Sequence, residues 1–357
     1  MSALFTPFAL RSLTLRNRIG VAPMCQYSSI DGFATDWHLV HLGGFATGGA
    51  ALVICEATAV VPEGRISPQD LGIWSDEHIP MLQRITKFVR AQGAAPGIQL
   101  AHAGRKASTK RPWEGSGEVA PEDGGWQALG PSTRAFAPNY PTPRAMSTDD
   151  IAHVVTAFGD AARRALAAGF EVAEIHAAHG YLLHQFLSPL ANDRTDAYGG
   201  SLENRMRLTL DVARTIREIW PAELPVLVRI SATDWAEGGW DVNQSVVLCQ
   251  ALRELGIDLI DVSSGGLAAH QQIDVKPLYQ VPFARRIRHD ASVPTSAVGL
   301  ITEPAQAEQI VKDGDADLVL LARELLRHPR WPLEAAHVLG ADGPWPDQYV
   351  RAKRRRA

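Results

Sequence analysis

Apolar runs of strand length recur along the chain at 18–24, 51–57, 97–103, 170–177, 226–232, 259–264, 294–299 and 318–322. Between and after them lie stretches of helical periodicity near 36–48, 76–92, 148–168, 201–219, 243–255, 279–289, 303–313 and 330–340. Parallel strands cannot be joined by a tight turn, so each crossover carries a helix, and strict alternation reads as βα units around a parallel sheet. Repeated eight times, the unit predicts a closed (β/α)8 barrel. The competing architecture is an open doubly wound sheet, but its usual dinucleotide-binding form needs a G-x-G-x-x-G turn after the first strand, and none follows residue 24.

The remaining segments fit round that barrel. Residues 5–10 and 13–19 are short and extended in character, and we expect an N-terminal β-hairpin there that closes the barrel floor. The Pro- and Gly-rich passage 104–145 is too long for a routine connection, so it reads as a lid or binding loop. Residues 341–357 form a C-terminal tail, and the whole chain, 1–357, is expected to be one domain, within the size such barrels reach when insertions are counted.

Composition narrows the class of protein. Hydrophobic residues at 46% and charged residues at 21% describe an ordinary globular chain with enough apolar surface for a large core. A formal charge of −4 gives no field to attract nucleic acid or an anionic membrane surface. Arg351, Lys353, Arg354, Arg355 and Arg356 crowd the end of the tail, where the ordinary reading is a solvated, frayed terminus and the other is a contact with a partner subunit. Cys25, Cys55 and Cys249 are odd in number and widely spaced, which argues against a disulfide framework and suits a reducing cytoplasm. No secretory leader pattern and no run of about 18 apolar residues is found.

In a (β/α)8 barrel the chemistry sits at the carboxyl ends of the strands. The polar residues that fall there are Cys25 and Tyr27 after the first run, Glu56 in the second, and Gln99, His102, Arg105 and Lys106 in and after the third. His176, His179 and Tyr181 follow the fourth, Arg229 the fifth and Ser263 to Gly266 the sixth, with Gly299 and Arg323 after the last two. Glycines after the sixth and seventh runs and the Ala322-Arg323 pair after the eighth suit a phosphate cradle, although glycine at such turns also serves backbone geometry alone.

The stretch HAAHGYLLHQFLSP at 176–189 admits three readings. Two imidazoles three apart can hold a metal, but no Asp, Glu or Cys stands within the motif, and no metal is expected. They can be structural. They can also be paired hydrogen-bond donors to an oxygen that gains negative charge during reaction, with Tyr181 as a proton donor beside them. His184, five residues further on, is expected to point elsewhere.

These blocks together resemble the FMN-dependent old yellow enzymes, and within them the thermophilic-like ene-reductases, which are similar to bacterial xenobiotic reductases. The resemblance rests on APMCQYSS at 22–29, QLAHAGRKAS at 99–108, HAAHGYLLHQFLSP at 176–189, NDRTDAYGGSLENR at 192–205, DVSSGG at 261–266 and AVGLI at 297–301, in that order over nearly the whole chain.

The resemblance implies a (β/α)8 barrel with FMN bound non-covalently at its top. Pro23, Met24, Cys25 and Ala57 would line the isoalloxazine edge, Gln99 would bond the pyrimidine portion, and Arg229 would stand near flavin N1 and O2 to stabilise the reduced ring. Backbone groups around Gly265, Gly266, Ser296, Gly299, Ala322 and Arg323 would hold the phosphate.

NADPH or NADH would reduce the flavin, whose N5 then passes hydride to the β-carbon of an electron-poor alkene. His176 and His179 would bind the substrate oxygen, helped by Tyr27, while Tyr181 would protonate the α-carbon. Cys25 would tune the flavin near N5, its alternative being a small buried apolar residue.

A homodimer or homotetramer is implied, with Arg351 reaching a neighbouring active site. Ala322 departs from the family pattern, which commonly has glycine there, and its N–H can serve only if φ stays negative. Three readings compete with this one. A dienoyl-CoA reductase relative would need four cluster thiolates, and this chain has three scattered cysteines. A non-catalytic FMN-binding barrel would not need the His–His–Tyr group, and a metal-dependent barrel hydrolase would need zinc.

Overall fold

The computed structural model describes residues 2–354, so Arg355 and Arg356 of the basic tail lie outside the described residues. The chain closes a parallel barrel from β3 (Ile19–Val21), β4 (Leu52–Ala59), β5 (Ala95–Ala101), β8 (Val172–Ala177), β9 (Val226–Ser231), β10 (Leu259–Ser263), β11 (Thr295–Ala297) and β12 (Leu318–Leu321). Neighbours in the barrel follow chain order, and β12 pairs with β3 through Val319 to Ile19, which shuts the ring. Every residue of these eight barrel strands is buried, as expected when side chains alternate between the barrel interior and a surrounding layer of helices.

Each of the eight expected helices is present: α1 (Asp36–Thr47), α2 (Ile79–Ala91), α3 (Thr148–Ala167), α5 (Leu202–Ile219), α6 (Val242–Glu254), α7 (Val281–Asp290), α8 (Pro304–Lys312) and α10 (Trp331–Val338). Their starts follow capping chemistry. Ser147 caps α3 by accepting the Asp150 N–H at 3.1 Å while the Asp150 carboxylate accepts the Ser147 N–H at 2.8 Å. At α8 the Gln306 side chain reaches back to the N–H groups of Thr302 and Glu303, both at 3.1 Å.

Two helices were not expected from the periodicity. The first, α4 (Leu182–Leu187), has all six residues buried and so shows no polar face, and the second, α9 (Arg323–Arg327), is barely more than one turn. The strands are also shorter than their apolar runs: β3 stops at Val21 because Pro23 has no N–H to give the ladder. Inside 104–145 a short parallel pair forms between β6 (Leu129–Gly130) and β7 (Arg144–Ala145).

The N-terminal hairpin pairs β1 (Phe8–Leu10) with β2 (Leu13–Leu15) and turns at Arg11 and Ser12. Leu10 and Leu15 join an apolar cluster with Leu52, Leu227, Leu259, Leu318 and Leu320 from the lower ends of the strands, so the hairpin plugs the floor. Arg11 pins it by an ion pair to Asp258 at 2.6 Å and a hydrogen bond to the Ala222 carbonyl at 2.7 Å. The tail residues Asp347–Ala352, Arg351 among them, form a 3₁₀ turn that returns to α10, with Arg330 stacked 4.5 Å from the Tyr349 ring. Among the described residues no helix is long and apolar enough to cross a membrane, and no group of three His, Cys, Asp or Glu is disposed to hold a metal.

Leu15 is 2% exposed, and replacing it with Ala opens a hole in the floor. Leu15→Ala is therefore expected to cost about 2–5 kcal/mol of stability, read as a lower denaturant midpoint, while flavin bound per mole of protein stays unchanged.

Candidate active site

The upper half of the barrel interior carries charge. Gln99 on β5, Glu174 on β8, Arg229 on β9, Asp261 on β10 and Ser296 on β11 occupy consecutive strands, and the register sets Gln99 beside Glu174 and Arg229 beside Asp261. Gln99 donates through Nε2 to Glu174 at 2.8 Å, Arg229 Nε meets Asp261 Oδ2 at 2.8 Å, and Ser296 Oγ donates to Asp261 Oδ1 at 2.8 Å. Burial, then the like charge of Asp261, raises the Glu174 carboxyl to about 8, so that it holds a proton at neutral pH. Burial also raises Asp261, against the pull of Arg229. These contacts leave the Gln99 carbonyl oxygen and the terminal nitrogens of Arg229 without a bond to a described residue.

On the wall above stand the histidines. The ring centroids of His176 and His179 are 5.2 Å apart and edge-on, and Tyr181 stands edge-on to His176 at 5.0 Å. His176 Nδ1 accepts the Ala178 N–H at 3.3 Å, which places the ring proton on Nε2. His179 is fixed at both ends: its N–H donates to Ser231 Oγ at 2.9 Å, and its Nε2 lies 2.7 Å from Ser263 Oγ. Its φ is +58°, a conformation uncommon outside glycine that concentrates at functional sites. Burial first, then the positive charge of Arg229, lowers both imidazoles well below their ordinary range, and both are neutral at pH 7.

Gly266 explains how His179 keeps its place. It has φ +91°, and a Cβ there would come within 2.6 Å of the His179 backbone. Lys106 Nζ bridges the same two residues, donating to the His179 carbonyl at 2.9 Å and to the Gly266 carbonyl at 2.8 Å, over the Phe136 ring at 4.3 Å. Burial lowers this ammonium to about 7. His184 points elsewhere, as expected, pairing with Asp234 at 2.8 Å in full burial.

The loop after β3 carries Pro23, Met24, Cys25 and Tyr27 across the mouth, and Glu56 holds it there. A bulge between Cys55 and Ala57 turns Glu56 so that it accepts the Gln26 N–H at 2.7 Å and meets His38 Nε2 at 3.2 Å, and it sets Ala57 beside Gln99. Burial, followed by the charges of Asp70 and Glu56, holds the Cys25 thiol well above its ordinary value, so it is no thiolate nucleophile. Tyr27 has φ +50° and meets the Trp113 ring at 5.8 Å; burial raises its phenol too.

Across the barrel, the ends of β11 and β12 enclose a cleft of about 70 Å³ lined by Gly299, Leu300, Ala322 and Arg323 among others. None of those four N–H groups donates to a described residue, so the cleft presents orphaned donors of the kind that receive a phosphate. Gly299 has φ +117°, and a Cβ there would strike Gln280 Nε2 at 2.6 Å. Ala322 keeps φ at −114°, which meets the condition its side chain imposes.

Three of the expected phosphate residues stand apart from this cleft. Gly265 and Gly266 flank His179, their N–H groups taken by the Thr233 carbonyl at 2.8 Å and Gln271 Oε1 at 2.6 Å; Ser296 lies within β11, and its hydroxyl donates to Asp261, which leaves the expectation for its backbone where it stood. Sequence reasoning placed Ser263 at a strand end without a role and assigned no part to Glu174, Asp261, Gln280 or Asp70. A lone carboxylate in an apolar strand, as in EVAEIHA or LIDVS, was the available signal for the first two.

The family model described as "NADH:flavin oxidoreductase / NADH oxidase family" matches residues 3–341. An NADPH dehydrogenase of Geobacillus thermodenitrificans is 49% identical over 355 residues, covering 99% of both chains, and one of Bacillus subtilis is 47% identical over 350 residues, covering 98% of both. Among solved structures, morphinone reductase superimposes with a TM-score of 0.80 at 29% identity, covering 97% of this chain and 92% of its own. A second structure of that enzyme, in complex with tetrahydroNAD, gives a TM-score of 0.78 at 29% identity, covering 96% and 92%. The chain belongs to the NADH:flavin oxidoreductase / NADH oxidase family, and with it to the NAD(P)H-dependent flavin oxidoreductases whose cofactor is FMN.

Proposed function

We propose that this enzyme reduces the activated C=C bond of α,β-unsaturated carbonyl or nitro compounds, with NADPH, named in its relatives, as reductant. The observation that carries the reading is the edge-on group of His176, His179 and Tyr181 beside the mouth, with one ring proton directed by the Ala178 contact to His176 Nε2. Bound FMN supplies the hydride that reaches the β-carbon.

The chain's own residues do the rest. A neutral imidazole donates a hydrogen bond without burying a net charge, so His176 and His179 draw electron density onto the substrate oxygen while the dry site stays electrically balanced. His179 adds its donor once Ser263 yields Nε2 or turns its hydroxyl. Tyr181, whose phenol burial keeps fully protonated, gives the α-carbon its proton. Tyr27 steadies the oxygen from the loop opposite.

Around the isoalloxazine, Pro23, Met24, Cys25 and Ala57 would form the apolar edge, with the Gln99 oxygen and the Arg229 guanidinium on the pyrimidine side. Gly299, Ala322 and Arg323 offer N–H groups to the phosphate. The thiol of Cys25 acts as a neutral polarizable neighbour of the ring.

The reading makes distinct demands on measurement. The purified protein should be yellow, bleach with NADPH and recover colour with cyclohexenone; flavin that bleaches but is not reoxidised by enones counts against it. His176→Ala and His179→Ala should each slow reoxidation by enone on the order of 10²–10³-fold and weaken the charge-transfer band given by a bound phenol. Tyr181→Phe should slow reoxidation far more than reduction. Because both imidazoles are depressed, their ring-nitrogen NMR shifts should stay those of the neutral form down to about pH 6, and protonation above that pH contradicts the assigned donors.

A further inference from the structure

Behind Tyr181 the wall of the barrel encloses a cavity of about 10 Å³ whose lining includes Asp70, Tyr181, Gly64, Ile66, Ala57 and Ala101. That is the volume one water molecule needs. Asp70 and Tyr181 are the two ionisable groups in its wall. Asp70 itself is 2% exposed. Its Oδ2 accepts the Ile66 N–H at 2.6 Å and the Ser67 N–H leans on the same carboxyl, but Oδ1 has no hydrogen-bond partner among the described residues. A buried carboxylate with one bare oxygen is expensive, whereas a carboxyl with its proton on that oxygen has something to donate. The Tyr181 hydroxyl, for its part, makes no hydrogen bond to a described residue.

We propose that Asp70 is a relay group behind Tyr181, replacing the phenolic proton as it leaves through one water held in the cavity between them. The inference rests on the reading of Tyr181 as the proton donor. When Tyr181 passes its proton to the α-carbon, an O–H bond of the water breaks toward the phenolate oxygen and the Asp70 O–H bond breaks toward the water. No electrons change owner, and the water is regenerated. Asp70 is left as carboxylate and takes a proton from solvent before the next turnover.

The surroundings suit that role. Burial, then the like charge of Glu56, raises the Asp70 carboxyl to about 8, against the two N–H groups and the Arg65 guanidinium that pull it down. The titratable and charged groups near it are Cys25 and Tyr27 from the loop after β3, Glu56 from β4, Arg65 from its own segment, and Tyr181. The sign follows: Asp70 is protonated below about pH 8 and loses its capacity to donate as the pH rises through that value.

Asp70→Asn keeps the size and the contact with Ile66 but has no acidic proton. It should retain FMN, be reduced by NADPH at the parent rate, and be reoxidised by cyclohexenone about tenfold or more slowly. It should also lose the alkaline fall in reoxidation rate near pH 8 that the parent shows, and Asp70→Glu should restore part of both. In the parent enzyme, reoxidation in H₂O–D₂O mixtures should give a curved proton inventory, since more than one proton moves.

Parent-like rate and pH profile in Asp70→Asn would reduce Asp70 to a turn cap. Equal slowing of both half-reactions, or a linear inventory in the parent, likewise overturns the relay. Tyr181→Phe separates the two ideas. If that variant is reoxidised at the parent rate, the proton-donor reading falls and the relay falls with it; if it is slow while Asp70→Asn behaves like the parent, the relay alone is wrong.

Discussion

Closing eight parallel strands into a ring brings two carboxyls and one guanidinium into a single dry space, and the upper half of the molecule is organised around keeping them compatible. Arg229 can satisfy Asp261, but one cation does not neutralise two anions, so Glu174 stays protonated and turns to Gln99. The guanidinium is thus ion-paired through Nε with its outer nitrogens left without a described partner, and the amide of Gln99 is held through Nε2 with its oxygen free. Such pre-orientation is what a cofactor with a defined pattern of donors and acceptors requires, because the groups need not reorganise when it binds.

The same principle recurs one layer up. His179 is held at its N–H, at Nε2 and at its carbonyl by Ser231, Ser263 and Lys106 in a backbone conformation few residues accept. Glu56 performs the equivalent task for the loop that carries Cys25 and Tyr27, using a bulge to leave the strand's regular alternation. In both places a strand end is rigid because a polar side chain from a different element closes the local hydrogen-bond account.

Much of this was legible in the order of the residues. All eight strands and the eight long helices stand within a few positions of their expected places, because alternation of buried runs with amphipathic ones is a property of local sequence. The hairpin was legible for the same reason. Strand ends located His176, His179, Tyr181, Gln99 and Arg229, since the barrel fixes where such residues converge. What the pattern could not carry was pairing between elements distant in sequence. Asp70 comes from the connection after β4 and lines one cavity with Tyr181, 111 positions away; no local signal marks it. Helix α4 was invisible because a segment buried on every side has no period. The glycines at 265 and 266 looked like phosphate ligands by type, yet the turn that contains them faces His179.

The hairpin floor has a further implication. Leu10 and Leu15 seal the lower end with apolar contacts among leucines from several strands, and that cluster shares no side chain with the histidine wall, reaching the cleft between the ends of β11 and β12 only through Val298, Leu320 and Ala322. The floor and the histidine wall are therefore carried by different side chains. Side chains on the histidine wall can be replaced without touching the leucines that keep the opposite pole of the ring shut, which makes the scaffold permissive to change at its mouth.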